Sequence, residues 1–190
     1  MAHLTLWQIE MWPWYALCLF WAITAVRVKP ARSTEPLAAR LFTSVVVGVA
    51  FVLLFSQQLR FGALGERFLV QNPWIERVGV VLTFLGAAIS IWARSILGSN
   101  WSSRVSLKVD HELIRTGLYG HVRHPIYTGF LAAAIGTALV VGEWRSLLAV
   151  PIAIIGFALK AKREETLLTS AFGDTYRQYQ RDTGFLLPRF

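Results

Sequence analysis

A polar segment at residues 110–129 carries the side chains best suited to chemistry in this sequence. It holds three histidines, two arginines, two tyrosines and two acids in the stretch DHELIRTGLYGHVRHPIYTG. A second polar segment, KAKREE at residues 160–165, follows the last apolar run. Charged groups close to a bilayer are costly and tend to have functional roles. We therefore expect these two segments to meet in one site.

The RHPIYTG part of the first segment is typical of a sharp turn into a helix. Pro125 fits the first turn of a helix, where its missing N–H costs nothing. His124 is directed toward an extended conformation because it precedes a proline. The unpaired N–H groups at such a helix start attract anions such as a carboxylate. The same composition also fits a basic cap at a bilayer boundary.

In the second segment, Lys160 and Glu164 are one helical turn apart and share a face. Such a pair is usually a solvated ion pair on a protein surface. Here it lies where the apolar run GFALK ends, beside the expected membrane boundary. That position favours a functional role for both residues.

The composition indicates that lipid is the solvent of much of the chain. Hydrophobic residues make up 55% and charged residues 16%, with a mean hydropathy of +0.48, whereas soluble domains contain about 25% charged residues. The net charge of +8 could suggest nucleic acid. The basic residues, however, lie in short segments beside apolar runs and form no recognisable nucleic-acid module. We expect a bilayer as the partner and no nucleic acid.

Five apolar segments predict an all-α membrane bundle of about five transmembrane helices. They cover residues 12–28, 41–59, 78–97, 126–141 and 147–159. The last two are short for a span of about 20 residues and are expected to form a tight hairpin. No basic region precedes the first segment, so we expect a retained helix and no cleaved signal peptide. We predict one domain over residues 1–190, with apolar helices in 1–93 and the motifs in 94–190.

The distribution of lysine and arginine predicts the orientation. Fifteen of the 19 basic residues lie after the first and third segments or in the tail, and four lie on the other side. Because basic residues favour the cytoplasm, the N-terminus should lie outside and both polar segments inside. The tail places Phe172, Tyr176 and Tyr179 on one helical face, which predicts a short C-terminal helix at the interface.

Several motifs follow one another at fixed spacings from residue 111. They are H-E-L-I-x-x-G-x-Y-x-x-x-R-H-P-x-Y-x-G, an apolar hairpin, R-E-E-x-x-L, F-G-x-x-Y-x-x-Y and T-G-x-x-x-P. Together they resemble the isoprenylcysteine carboxyl methyltransferase family, over residues 94–190. Its members are integral membrane enzymes that use S-adenosylmethionine (SAM). The short RHPxYxG motif is also similar to phospholipid N-methyltransferases.

The resemblance implies a set of residues for the cofactor and the substrate. The adenosine side would be lined by residues 111–114, and the methionine part held by residues 124–127 and Glu164. Lys160 falls where eukaryotic members have an arginine that contacts the substrate. A lysine keeps the positive charge but lacks the planar guanidinium that can donate two hydrogen bonds to one carboxylate. The implied cofactor-binding residues are Arg104, His111, Glu112, Leu113, Ile114, Tyr119, His124, Pro125, Ile126, Tyr127 and Glu164.

The implied reaction is methyl transfer from SAM to the carboxylate of a lipophilic, isoprenylcysteine-like substrate. A terminal carboxyl has a pKa of about 3.5 and is ionised at neutral pH, so no general base is needed. Arg123 and Lys160 are the catalytic candidates, because their charges could steer the carboxylate, and Lys160 would also bind the substrate. No G-x-G-x-x-G loop supports a soluble dinucleotide-type fold. The histidines lack partners at zinc-ligand spacing, so no metal is expected.

Two other functions remain open at this point. A phospholipid amine could accept the methyl group, but it is mostly protonated at pH 7. Glu165 or His121 would then have to act as a base. The chain could also be a membrane scaffold or transport accessory without catalytic turnover.

Overall fold

The computed structural model describes residues 5–25, 31–34, 36–98, 101, 106–108 and 113–189 as a mainly helical bundle. The helices are α1 (Leu6–Thr24), α2 (Leu37–Phe55), α3 (Gly62–Gly65), α4 (Pro73–Leu97), α5 (Pro125–Val141), α6 (Trp144–Phe172) and α7 (Asp174–Asp182). Two short strands are β1 (Ala31–Thr34) and β2 (Ser106–Lys108). Short 3-10 turns cover Gln57–Leu59 and Gly117–Gly120.

Three of the described helices, α2, α4 and α6, are long and apolar enough to cross a bilayer. Helix α5 is equally apolar but has only 17 residues. Large apolar side chains point outward from α2 and α4, as lipid contact requires; they include Phe42, Val45, Val52, Val81 and Leu85. The chain is an integral membrane protein. Within the described residues, five helices of at least 17 residues overlap the five predicted segments, while the number of crossings remains a prediction.

The starts of α1 and α4 differ from the apolar runs because capping side chains determine them. Helix α1 begins at Leu6 instead of residue 12, since Thr5 and Gln8 form a reciprocal capping box. Helix α4 begins at Pro73 instead of residue 78, where the Asn72 side chain accepts from the N–H of Trp74 at 2.9 Å. The predicted starts were too late because hydropathy does not register these polar caps.

Helix α6 is much longer than its apolar run at residues 147–159, since it continues to Phe172. Pro151 lies inside this helix, beyond its first turn. Lys160, Glu164 and Glu165 therefore stand on the same rigid helix as the apolar segment. The predicted C-terminal helix is present as α7, which carries Tyr176 and Tyr179. Phe172 is not part of it, because α6 ends at Phe172 and Gly173 separates the two helices at a positive φ of 54°.

The all-α prediction is incomplete, because β1 and β2 pair in an antiparallel ribbon. Ala31 lies opposite Lys108, and Ser33 lies opposite Leu107. The ribbon joins the connection after α1 to the connection after α4. This pairing lies between distant segments, so no local sequence pattern indicated it.

Glycines bring α4 and α5 into backbone contact. A Cβ atom at Gly129 would lie 2.5 Å from the carbonyl oxygen of Gly86, and one at Gly136 would lie 2.5 Å from that of Gly79. Small residues of this kind allow close packing of membrane helices. Ser90 adds a hydrogen bond of 3.0 Å from its hydroxyl to the carbonyl of Ile126. The start of α5 is thereby held firmly against α4.

A buried polar cluster fastens α1 to the same pair of helices. The Oε1 atom of Glu10 accepts hydrogen bonds from the hydroxyls of Thr83 at 2.7 Å and Thr137 at 2.5 Å. The indole of Trp14 donates to the Thr137 hydroxyl at 2.9 Å. Interhelical hydrogen bonds stabilise membrane bundles, and this cluster holds α1 against α4 and α5.

Candidate active site

His124 brings the two polar segments together. It immediately precedes α5, and its side chain is only 5% exposed. Its Nδ1 atom lies 3.4 Å from Oε2 of Glu164, and its Nε2 atom lies 3.3 Å from Oε1 of Glu165. The imidazole therefore lies between the carboxylates of two consecutive residues of α6.

Tyr127 completes the surroundings of Glu164. Its hydroxyl donates a short hydrogen bond to Oε1 of Glu164, so both carboxylate oxygens contact residues of the HPIY turn. The Tyr127 ring stacks on His124 with centroids 5.7 Å apart and on Phe157 at 5.2 Å. The Nζ atom of Lys160 lies 5.5 Å from the Tyr127 centroid, within the range of a cation–π contact. Four of the predicted residues thus share one cluster with Phe157.

Arg123 is occupied by a different set of partners. Its Nε donates to Oε1 of Glu165 at 2.6 Å, and its Nη1 donates to the carbonyls of Gln180, at 2.9 Å, and Thr183. The amide of Gln180 in turn donates to Oε2 of Glu165 at 2.9 Å. These contacts fasten the end of α7 to the site. They favour a positioning role for Arg123, while the steering of a carboxylate by this residue stays a prediction.

The C-terminal segment encloses the motif by backbone pairing. The N–H of Arg123 donates to the carbonyl of Gly184 at 2.9 Å, and the N–H of Gly184 donates to the carbonyl of His121 at 3.0 Å. The Thr128 hydroxyl donates to the carbonyl of Leu186 at 2.7 Å. Phe185 meets the edge of His124 with centroids 5.3 Å apart. These contacts give the T-G-x-x-x-P segment a structural role beside the site.

Tyr119 belongs to an apolar cluster next to His124 and its two glutamate partners. It forms a buried cluster with Ala93 and Ile126, against which the partly buried Ile114 packs. Its backbone carbonyl accepts from the Tyr179 hydroxyl at 2.7 Å. Tyr119 is thus fixed on both sides and can form a rigid wall of the site.

The remaining predicted cofactor residues are placed in part. Pro125 is fully buried and Leu113 is partly buried. Arg104, His111 and Glu112 lie outside the described residues, so their roles stay predictions. Sequence reasoning missed Phe157, Gln180 and Phe185. Of these, Gln180 and Phe185 lie within or beside the tail motifs, and Phe157 belongs to the GFALK run.

The two carboxylates change the protonation of His124. Burial lowers the pKa of His124, but the hydrogen bonds and negative charges of Glu164 and Glu165 raise it, and the net shift is upward. The imidazole therefore retains its proton to a higher pH than a free histidine. Burial also raises the pKa of Tyr179 to about 12, which keeps its hydroxyl a neutral donor.

Comparison with known proteins places the chain in a family. The sequence profile described as the isoprenylcysteine carboxyl methyltransferase (ICMT) family matches residues 79–170. A probable protein-S-isoprenylcysteine O-methyltransferase of Oryza sativa subsp. indica is 30% identical over 171 residues, which are 87% of each chain. This chain belongs to the isoprenylcysteine carboxyl methyltransferase family. The resemblance seen in the motifs is confirmed.

Other members of the family are longer than this chain. Protein-S-isoprenylcysteine O-methyltransferase of Schizosaccharomyces pombe is 38% identical over 87 residues, or 44% of this chain and 37% of that protein. The Tribolium castaneum protein of the same name is 30% identical over 118 residues, or 60% of this chain and 42% of its own length. The chain thus spans about two fifths of the length of these two relatives.

A solved structure shares the fold. It is the eukaryotic intramembrane Ras methyltransferase ICMT, with a TM-score of 0.61 and 24% identity over 96% of this chain and 64% of that one. This similarity supports the helical membrane architecture. Membership of a methyltransferase family implies a methyl donor for the site.

Proposed function

We propose that this chain transfers a methyl group from SAM to the carboxylate of a lipophilic, isoprenylcysteine-like substrate. The names of its relatives support the reaction class. The observation that carries the proposal is the contact of Glu164 with both His124 and Tyr127. It joins the two motif segments into one polar cluster at the end of the apolar part of α6.

The residues of the cluster suit SAM. When bound, SAM supplies a methyl group on a positively charged sulfonium, next to an ammonium and a carboxylate. Glu164 offers a carboxylate to the ammonium, next to the stacked rings of Tyr127 and Phe157. Among the described residues no side chain caps the start of α5, and unpaired N–H groups at such a start bind a carboxylate. Tyr119 and Ile114 form an apolar wall suited to the adenosine.

The acceptor carboxylate reaches this site already ionised. Its pKa of about 3.5 removes the need for a general base. Lys160 precedes Glu164 by one helical turn, so its ammonium can steer the acceptor toward the donor held by Glu164. Alignment of two reactants in this way lowers a barrier by up to about 7–11 kcal/mol. The rings of Tyr127 and Phe157 exclude water, which strengthens the attraction between the opposite charges.

The membrane arrangement follows from the same distribution of charge. We propose one domain with five spanning helices, the N-terminus outside and the cofactor pocket on the cytoplasmic face. Helix α7 would lie at that interface, with Tyr176 and Tyr179 buried against the bundle. The lipid tail of the substrate would enter sideways between helices, while SAM would enter from the cytoplasm. Residues 104, 111 and 112 would complete the cofactor pocket.

An acceptor panel tests this function. Purified protein in phosphatidylcholine nanodiscs is given methyl-labelled SAM and either N-acetyl-S-farnesylcysteine, the carboxamide of the same compound, or phosphatidylethanolamine. We expect label on the farnesylcysteine only, because the carboxamide lacks the ionised oxygen. Label on phosphatidylethanolamine instead would support amine methylation. Binding of SAM without label on any acceptor would contradict the proposed substrate class.

A further inference from the structure

A cavity of about 390 Å³ lies at the end of the bundle opposite the candidate active site. It is bordered by the start of α1, the turn after α2, the start of α4 and the link between α5 and α6. Helix α5 begins beside His124 and ends with Val141 at this cavity. Its 17 residues at about 1.5 Å each separate the two places by about 25 Å. The cavity is therefore distinct from the methyl-transfer site.

A buried ion pair forms one wall of the cavity. Glu143 and Arg145 are each only 3% exposed, and Nε of Arg145 lies 2.6 Å from Oε2 of Glu143. Arg145 also donates to the carbonyls of Leu53 and Leu54 at the end of α2. Nε and Nη1 of Arg145 are thus engaged with protein groups, and the ion pair gives the cavity a buried, charged wall.

Arg60 extends this pair toward the mouth of the cavity. Its Nε lies 2.8 Å from Oε1 of Glu143, while its side chain is 55% exposed. One carboxylate therefore faces two guanidinium groups. Within the part of the chain that the structure describes, neither Nη atom of Arg60 donates a hydrogen bond to a protein group. Those donors remain available to a ligand.

Arg67 adds a second exposed guanidinium. It donates to the carbonyls of Leu69, at 3.2 Å, and Val141, at 3.1 Å. Among the described residues no carboxylate lies within ion-pair distance of it. The cavity is lined by three arginines and two glutamates, the second being Glu76. It therefore carries a net positive charge with its exposed donors at the mouth.

Aromatic side chains place this cavity at the boundary between bilayer and water. Trp74 is 70% exposed and Trp144 is 45% exposed, both at this end of the bundle. Trp7 lines the cavity itself. Exposed tryptophans concentrate at the depth of lipid headgroups. A negatively charged group at that depth is most often a phosphate.

We propose that this cavity binds a phosphate group through Arg60 and Arg67, with the phosphate supplied by a phospholipid headgroup or by free phosphate. Guanidinium groups offer paired N–H donors that match phosphate oxygens. A bound phosphate would connect the turn after α2 with the α5–α6 link and so brace the end of the bundle. The site is independent of the methyl-transfer reaction.

A lipid with a phosphate in its headgroup and a lipid without one test the site. Detergent-purified protein is mixed with dioleoylphosphatidylglycerol, dioleoylglycerol or inorganic phosphate, and binding is measured by native mass spectrometry and by thermal shift. The variants are Arg60→Gln and Arg67→Gln. Arg77→Gln is the matched control, because Arg77 lies near the same end, over the Trp74 ring at 4.8 Å, but does not line the cavity.

We expect one phosphatidylglycerol retained per chain, no comparable retention of dioleoylglycerol, and roughly tenfold weaker binding in each cavity variant. Arg60→Gln is the more informative of the two, because Glu143 keeps Arg145 as its partner. Protection by inorganic phosphate alone would support the same site with a free anion as its ligand. The proposal would be overturned if both lipids were retained equally and inorganic phosphate had no effect. It would also be overturned if Arg60→Gln and Arg77→Gln bound phosphatidylglycerol equally well.

Discussion

The Nδ1 atom of His124 lies 3.4 Å from Oε2 of Glu164, although one residue precedes α5 and the other stands on α6. This contact joins the RHPIYTG motif to the REE motif. It gives a physical reason for their occurrence together, because each motif supplies half of the same polar cluster. Helix α6 makes the contact possible by continuing beyond its apolar part.

Lys160 provides the first prediction. We expect Lys160→Gln to raise the KM for a farnesylcysteine acceptor roughly tenfold or more, since a hydrogen bond to a charged group contributes about 1.5–3 kcal/mol. SAM affinity should change much less. Lys160→Arg should retain activity, because it restores a cation with a two-pronged grip. Steady-state kinetics with each substrate varied in turn measures both effects.

Lys162→Gln is the matched control, since Lys162 is exposed on the same helix two residues later. It removes the same charge and should leave the KM of the acceptor unchanged. Equal effects at positions 160 and 162 would show that only the surface charge matters.

The pKa of His124 predicts how stability depends on pH. Its folded-state pKa is raised above an unfolded value of about 6.5. The stabilisation from the protonated imidazole is therefore complete below about pH 6.5 and is lost as pH rises through the raised value. His124→Gln should remove this component of the pH dependence. Thermal unfolding midpoints of the wild type and of the variant, measured from below about pH 6.5 to above the raised pKa, test this prediction. Midpoints that depend on pH in the same way in both proteins would contradict the contact of His124 with Glu164 and Glu165.

Gly129 tests the close contact of α4 and α5. Gly129→Ala should destabilise the protein by about 1–3 kcal/mol, because the added methyl group must displace packed backbone. Gly48→Ala is the control, since nothing surrounds a Cβ atom there within 4 Å. That change should be neutral or stabilising by about 0.5–1 kcal/mol. Unfolding in detergent measures both, and equal losses would argue against a specific contact.

Arg123 supports a prediction about stability. Arg123→Gln should cost about 1.5–3 kcal/mol, because Glu165 and two carbonyls of the C-terminal segment lose a charged donor. Arg177→Gln serves as control, since Arg177 forms an exposed pair with Asp174 worth less than about 1 kcal/mol. Proteolysis of the C-terminal segment should accelerate in the first variant only. An intact segment with lost activity would instead favour the steering role of Arg123.

The sequence predicts the long helices well because apolar runs and helix periodicity are local properties. Their starts were predicted less well, since the side chains of Thr5 and Asn72 act through capping hydrogen bonds that hydropathy does not register. The β1–β2 ribbon was not predicted, because its pairing joins segments that are distant in sequence.

The candidate site could be predicted only in outline. The family resemblance implied that residues 124–127 and Glu164 hold the same cofactor, and the charge distribution predicted that both lie on one side of the membrane. The partners of Arg123 and the stacking of Phe157 on Tyr127 depend on the packing of the tail and of α6. The ion pairs of Arg60 and Arg145 with Glu143 were likewise not predicted. The count of basic residues registers only their charges, whereas these contacts depend on how the ends of two helices pack together.

Calorimetric binding of SAM to the wild-type protein and to Glu164→Gln tests the central claim most directly. Asp174→Asn is the control, since its carboxylate is 93% exposed on α7. We predict that Glu164→Gln binds SAM roughly ten- to hundredfold more weakly, as expected for a lost charged contact, while Asp174→Asn binds like the wild type. Equal SAM affinity in all three proteins would contradict the claim that the two motif segments close over the cofactor.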